Sequence, residues 1–401
     1  MINSYLPKLR PDLRVETVHE NNQKLTVLYD DLGIASQPIA LPYELGDVLL
    51  SIDNSSTPED LLNILNLKSL SYDLSTLIGM LNSLDQMGFM DTARIKLVRE
   101  DIRSYLNSDI RDSVCAGNSY PDDNFDLKKY LNHILSTKIG KTNKSSIIFA
   151  PHIDYRVGMD AHLTYSSAFN SLNTDADLAI MFGTAHYRSS DNFMLTKKNF
   201  KTPLGVLETD KEFIRLLGEQ LGYEPTIDDL AHRPEHSLEL HAVFLQHLFP
   251  NKNIKILPIL TGSFYNYFNK GINPDSDLRF NEFIDALNST INLTGRKVIF
   301  LSSGDLAHMG RKFEDDFDAE PILDKIRNDD KELIEDLENI NINSFYNKIS
   351  SNFDSRKICG LSPFYSTLKT ANPSKGDFLE YGQWNERETR SAVSFCSMAF
   401  Y

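Results

Sequence analysis

Four short apolar runs constrain the architecture more than any other feature of the chain. They are Ile147-Ile148-Phe149-Ala150, Leu178-Ala179-Ile180-Met181-Phe182, residues 254–260, and Val298-Ile299-Phe300-Leu301. Each is too short for a buried helix and apolar on both faces, as strands are when helices cover a sheet on each side. Helical patterns separate them. Ala161, Tyr165, Ala168, Phe169 and Leu172 form one apolar stripe, and Leu238, His241, Ala242, Leu245 and Leu248 form another. The alternation predicts an α/β fold with a mixed central sheet covered by helices.

Charge and cysteine content narrow the function classes. Lys and Arg number 41 against 56 Asp and Glu, a formal charge of −15, so phosphate backbones and anionic lipid are opposed by the field of the whole molecule. No nucleic-acid partner and no membrane partner are expected. No run approaches the ~20 apolar residues of a membrane span, and the first residues lack the basic start and apolar core of a signal peptide. Cys115, Cys359 and Cys396 are too few and too far apart for a disulfide framework or a cysteine-rich zinc module. A reduced, cytoplasmic chain is the expectation.

Three regions follow from the pattern. Residues 1–100 suggest a small helical accessory module: an alternating strand at 25–29, then a helix started by Thr57-Pro58-Glu59-Asp60 and carrying Leu61, Leu62 and Leu65. A second helix runs from about Asp73 through Leu74, Leu77, Ile78, Leu81 and Leu84 to Gly88. This unit is similar to winged-helix or peptide-chaperone-like modules. Its second helix has no Lys or Arg, which speaks against reading DNA and for docking, peptide binding or packing. Residues 101–142 are polar and read as a linker, with a loop at 118–124 and a short helix at 127–135. Gly140-Lys141-Thr142 is not a phosphate loop, because the motif needs a glycine where Leu135 stands. Residues 143–401 form the α/β domain.

The histidines locate the chemistry. Three of the four strands lead into one: Ala150-Pro151-His152, Gly183-Thr184-Ala185-His186, and Ser302-Ser303-Gly304-Asp305-Leu306-Ala307-His308. Ligands of open α/β sheets bind at the carboxyl ends of the strands, so three segments deliver imidazoles to one place. Converging histidines plus an anionic donor suit a divalent metal with an open position, whereas each histidine alone fits a hydrogen-bonded strand end. Asp154, Asp305, Glu235 and the Cys359 thiolate are the candidate anionic donors. In Ile358-Cys359-Gly360-Leu361-Ser362-Pro363 the thiol precedes a helix start, where a lowered pKa is expected. Glu235-His236-Ser237-Leu238-Glu239-Leu240-His241 lacks the His-Glu-x-x-His order of zinc peptidases; it either orients ligands or caps and packs a helix.

These motifs, with Ala150-Pro151-His152-x-x-Tyr155 and the closing Tyr381-Gly382-Gln383, resemble the Memo family, known in bacteria and archaea as AmmeMemoRadiSam system protein B, over residues 145–401. The resemblance implies a fold like that of the class III extradiol dioxygenases. It also implies a metal trio of His152, His186 and Cys359, with His308 beside it as the acid/base group. A cysteine replacing the dioxygenase carboxylate softens the site toward iron, copper or zinc and counts against ring cleavage. Radical-SAM and AMMECR1-like proteins are the implied partners.

Three functions compete. In the first, a metal-dependent redox enzyme uses His152, His186 and Cys359 as ligands, His308 and Asp305 as catalytic groups, and Glu235, His236, Glu239, His241 and Tyr155 as supporting or substrate-binding residues. In the second, the cleft of a non-catalytic adaptor holds a peptide or partner, with Arg156, Arg311 and Lys312 supplying positive charge. In the third, Cys359 is the nucleophile of a hydrolase and His308 its base.

Overall fold

The computed structural model describes residues 6–20, 23–35, 37–53, 55–68, 70–138, 143–226, 228–250 and 253–401. Gly140-Lys141-Thr142 lies outside these. The chain divides into two compact units, Met1–Asn107 and Ser108–Tyr401.

In the first unit, β1 (Arg14–Glu20), β2 (Gln23–Tyr29) and β3 (Ile39–Pro42) form an antiparallel sheet with β2 in the middle. Four helices follow: α1 (Tyr43–Ser51), α2 (Pro58–Leu67), α3 (Leu74–Gln86) and α4 (Ala93–Asn107). The expected start of α2 is a full capping box. The Thr57 side chain accepts from Asp60 N, the Asp60 carboxylate accepts from Thr57 N, and Pro58 opens the helix. Asp73 caps α3 in the same manner, accepting from Thr76 N at 2.8 Å. Leu61, Leu65, Leu77, Leu81 and Leu84 are buried with Leu28, Leu45 and Phe89 in this unit's own core.

The second unit comprises β4 (Ile110–Arg111), α5 (Asn124–Ser136), β5 (Ile147–Ala150), α6 (Met159–Ser171), β6 (Leu178–Thr184), β7 (Phe193–Leu195), β8 (Asn199–Thr202) and β9 (Gly205–Leu207). It continues with α7 (Lys211–Leu221), α8 (Ser237–Leu248), β10 (Lys255–Thr261), α9 (Tyr265–Lys270), α10 (Leu278–Thr294), β11 (Val298–Ser303) and β12 (His308–Gly310). The last elements are α11 (Leu323–Glu338), α12 (Ile342–Ser350), α13 (Leu361–Ala371), β13 (Gly376–Glu386) and β14 (Ser391–Phe400). Segment 101–142 thus holds the end of α4, then β4 and α5, whose Leu127, Leu131 and Ile134 join the main core.

The main sheet has the order β12-β14-β5-β11-β6-β10-β7, with β13 paired to β14. β5, β11, β6 and β10 are the four predicted strands and run parallel; β14 and β7 flank them antiparallel, which makes the sheet mixed. Successive residues of a strand point to opposite faces. Ile148, Ala150, Ala179, Met181, Ile256, Ile299 and Leu301 pack with α5, α6 and α8. Ile147, Phe149, Leu178, Ile180, Phe182, Leu257 and Ile259 pack on the other side with α7, α10, α12 and α13. Both faces are therefore covered, which is why these strands have no polar alternation. Among the described residues no helix is long and apolar enough to cross a membrane.

Candidate metal centre

Ala150 of β5, Ser303 of β11 and Gly183 of β6 stand in one row across the parallel strands. His152 and Asp305 lie two residues beyond that row and His186 three, so a shared register carries all three side chains to the same edge. Cys359 arrives from the other direction, just ahead of α13. Its turn meets the turn after β11 backbone to backbone: a Cβ on Gly304 would fall 2.3 Å from Gly360 Cα, and one on Gly360 would fall 2.8 Å from the Asp305 carbonyl. Gly360 N donates to that carbonyl at 2.9 Å, and Asp305 N donates to Cys359 Sγ at 3.2 Å.

The result is a set of donors from His152, His186 and Cys359 that all lie within 4.8 Å of one another. His152 Nε2 is 3.1 Å from Cys359 Sγ and 3.7 Å from Asp305 Oδ2, and the backbone N of His152 donates to Asp305 Oδ1 at 3.0 Å. The Ser303 hydroxyl gives its proton to the Ser237 carbonyl at 2.6 Å and so accepts from His152 Nδ1 at 3.2 Å. That fixes the proton on Nδ1 and leaves the Nε2 lone pair facing the sulfur. His186 is held in the same tautomer by Glu235, whose Oε1 accepts from Nδ1 at 2.9 Å and whose Oε2 accepts from the backbone N at 2.7 Å. Two nearly parallel rings, His186 and His236, are 4.8 Å apart, and His236 Nδ1 also faces Glu235 Oε1 at 3.3 Å.

Burial alone would raise the Glu235 carboxyl. The hydrogen bonds from His186 and His236, with the electrostatic attraction of those two rings, outweigh it and hold the group well below the usual carboxylate range. Burial dominates elsewhere. It pushes His152 well below the usual imidazole value, helped by His186 and His236, and pushes Asp305 up to about 7 against the His152 N–H bond. His308 Nδ1 points at the Leu306 and Lys357 carbonyls, at 3.1 and 2.9 Å, so its proton sits there and Nε2 is open. Burial and His186 bring His308 down to about 4. Asp305, His308 and Cys359 form a second close group of donors.

The thiol corrects one expectation. Burial and the neighbouring Asp305 push Cys359 well above the ordinary thiol value instead of lowering it. Its sulfur meets His152 Nε2 and the Asp305 backbone, and the N-cap of α13 is Gly360, with no side-chain cap from Ser362. The Asp305 N–H bond favours the thiolate but is outweighed by burial; a bound cation would add to it.

The remaining predicted residues stand behind the donors. His241 Nε2 donates to the Pro151 carbonyl at 2.9 Å, and the Tyr155 hydroxyl donates to the Leu240 carbonyl, so both pin the turn that carries His152. Glu239, fully buried, is clamped by the Arg111 guanidinium, the Tyr120 hydroxyl and the backbone N of Val114 and Cys115. Arg111 also donates to the carbonyls of His232 and Glu235. Asp154 is engaged by Arg156 and Ser119. Arg156, Arg311 and Lys312 are paired with Asp154, Asp318 and Glu386. Cys115 and Cys396 are buried and belong to none of the close donor groups among the described residues. Two residues escaped the sequence reading. Ser303 is one of several small residues in its motif, with no sequence signal of its own, and Arg111 lies in a stretch whose polarity conceals a buried cation.

Proteins of similar sequence occur in bacteria and archaea. A protein described as "MEMO1 family protein" from Aquifex aeolicus is 25% identical over 399 residues, covering 98% of this chain and 100% of the relative. One from Nitrosopumilus maritimus is 26% identical over 305 residues, 73% of this chain and 99% of the relative, and one from Pyrococcus furiosus is 29% identical over 208 residues, 50% and 66%. The profile described as "Memo-like protein" matches residues 111–399, from the Arg111 clamp to the end of β14. With every element of the site inside that span, the chain belongs to the Memo-like family.

Proposed function

We propose that His152, His186 and Cys359 hold one redox-active or divalent metal ion, iron first and copper or zinc as alternatives, in a metal-dependent redox protein. The observation that carries the reading is the pair of fixed tautomers. Each imidazole has its Nδ1 proton committed to an acceptor, which leaves Nε2 as the lone-pair nitrogen of both; that of His152 faces the sulfur at 3.1 Å, and the donors of His152, His186 and Cys359 lie within 4.8 Å of one another. A metal bound to two imidazoles and a thiolate supplies electron transfer or Lewis acidity at an open position.

The protein's own groups do the rest. His308 Nε2 is the proton acceptor, because its other nitrogen is occupied and the ring is neutral at pH 7. Asp305 holds or releases a proton near neutrality. Glu235 orients His186. The class III dioxygenase-like fold and partnership with radical-SAM and AMMECR1-like proteins belong to the same proposal and rest on family resemblance, whereas the winged-helix-like character of residues 1–100 rests on their own helical pattern and a cytoplasmic location on composition.

Protein purified without oxygen is expected to carry about one metal per chain, and Cys359→Ser to lose stoichiometric binding. Metal-free wild type that takes up no ferrous iron, copper or zinc overturns the reading. In that event the adaptor function leads, and partners recovered unchanged by a His152→Ala, His186→Ala double variant would support it. A Cys359 alkylation rate unaffected by added metal would instead favour the nucleophile.

A further inference from the structure

The segment between α12 and Cys359 is built under strain. Phe353, Asp354 and Lys357 have φ of +55°, +51° and +53°, left-handed values that non-glycine residues adopt rarely. The first two close the end of α12, where Phe353 N donates to the Ser350 carbonyl and Asp354 N to the Ile349 carbonyl, both at 3.0 Å. Lys357 serves no helix end. Its conformation turns its own carbonyl toward His308 Nδ1 at 2.9 Å, while the Arg356 carbonyl accepts from His308 N at 2.7 Å. Two residues later comes the thiol. One short stretch therefore sets the tautomer of His308 and the position of Cys359 together.

Arg356 and Lys357 anchor this stretch from outside on Asp330 and Asp315, and Asn352 accepts from Ser355 N at 3.2 Å, but Asp354 is the side chain that reaches the residue next to the thiol. Both carboxylate oxygens of Asp354 converge on the N–H of Ile358, at 2.9 and 3.1 Å, and the Asp354 carbonyl accepts from Lys357 N at 2.8 Å. Burial pushes the carboxyl up to about 6, against the Ile358 N–H and the charges of Arg356 and Lys357. An acid kept in such surroundings to hold one backbone N–H, beside a residue in a strained conformation, marks a constraint stronger than closing a loop needs.

We propose that Asp354 is a positioning residue for the candidate metal centre, holding residues 354–358 in the conformation that presents the Cys359 thiol to His152 and the Lys357 carbonyl to His308. Its functional meaning rests on the metal reading above; its geometry does not.

The test is the rate at which iodoacetamide modifies Cys359 in the metal-free full-length protein, followed by peptide mass spectrometry, so that its outcome is independent of metal uptake. Asp354→Ala releases Ile358 N and is expected to speed modification at least about tenfold, while Asp354→Asn, which keeps one acceptor oxygen, stays within about threefold of wild type. Adding Lys357→Gly to Asp354→Ala removes the strain and should bring the rate back down. If Asp354→Ala does not fold, Asp354→Gly, which also lacks an acceptor and adopts the +51° φ without strain, carries the same comparison. A merely structural role lowers the melting temperature and leaves the Cys359 rate of the folded protein alone. An alanine variant within about twofold of wild type, or alanine and asparagine variants equally fast, overturns the proposal. Wild type that binds no ferrous iron in a separate titration sinks the metal reading and leaves the alkylation comparison intact.

Discussion

Glu235 Oε1 receives the Nδ1 proton of His186 at 2.9 Å while the same carboxylate accepts the backbone N–H of His186, His236 and Ser237. Ring and backbone of His186 are thus set by one buried acid. Glu235→Gln keeps the shape but offers an amide that can donate to Nδ1, which favours the tautomer protonated at Nε2. Metal affinity should fall by roughly 10–100-fold, with little change in circular dichroism. Chelator competition measures it, and an affinity equal to wild type would mean that the acid does not orient His186.

Gly360 is a second point of control. An alanine there would put its Cβ 2.7 Å from Phe364 and 2.8 Å from the Asp305 carbonyl. The two turns would have to separate, drawing Cys359 from His152. Gly360→Ala should cost about 1–3 kcal/mol of stability and at least about tenfold in metal affinity. Urea melts and metal titration report the two effects, and unchanged binding in the folded variant would count against the backbone contact as the device that assembles the site.

His241 gives the fold a defined response to acid. Burial lowers it from the ordinary 6.5 to about 4, while its Nε2–H holds the Pro151 carbonyl. Between those values the unfolded chain binds a proton that the folded chain refuses. This contribution to stability is therefore whole above pH 6.5 and is lost progressively as the pH falls toward 4, on the order of 3 kcal/mol in total. Urea melts at pH 7 and 4.5 should differ less in His241→Gln than in wild type. Equal pH slopes would assign the acid sensitivity elsewhere, with His232, lowered to about 4 by the same cause, the first group to examine.

Arg111 and Glu239 form a buried pair, with side-chain exposures of 1% and 0%. Arg111→Met would leave Glu239 with its hydroxyl and backbone partners but no countercharge, and should destabilise the second unit by about 3 kcal/mol. Replacing both, as Arg111→Met with Glu239→Leu, should recover much of that loss. A double variant no better than the single would show that Glu239 is held by Tyr120 and the backbone alone.

Much of this was legible in the chain itself, for a physical reason. Strands covered on both faces must be apolar throughout, so β5, β6, β10 and β11 announce themselves, and a polar residue directly after such a strand can only be at the sheet edge. His152, His186, Asp305 and His308 follow from that. What could not be read were contacts that depend on distant partners. Arg111 sits in a polar stretch, and only the fold reveals that its charge is buried against Glu239, 128 residues away. The Cys359 thiol was expected to be acidified by a helix start; instead its surroundings are set by Asp305 and by burial. Ser303 looks like any serine until its two hydrogen bonds are seen.

The span between His152 and Cys359 is 207 residues, and the level register of β5, β11 and β6 is what closes it. No short fragment of the chain contains His152, His186 and Cys359 together. As the polypeptide leaves the ribosome, two histidines emerge long before the cysteine, and neither has its tautomer set until Ser303 and Glu235 are in place. On the proposed metal reading, loading of an ion would accordingly be a late event, reserved for the finished sheet and closed to nascent or damaged chains.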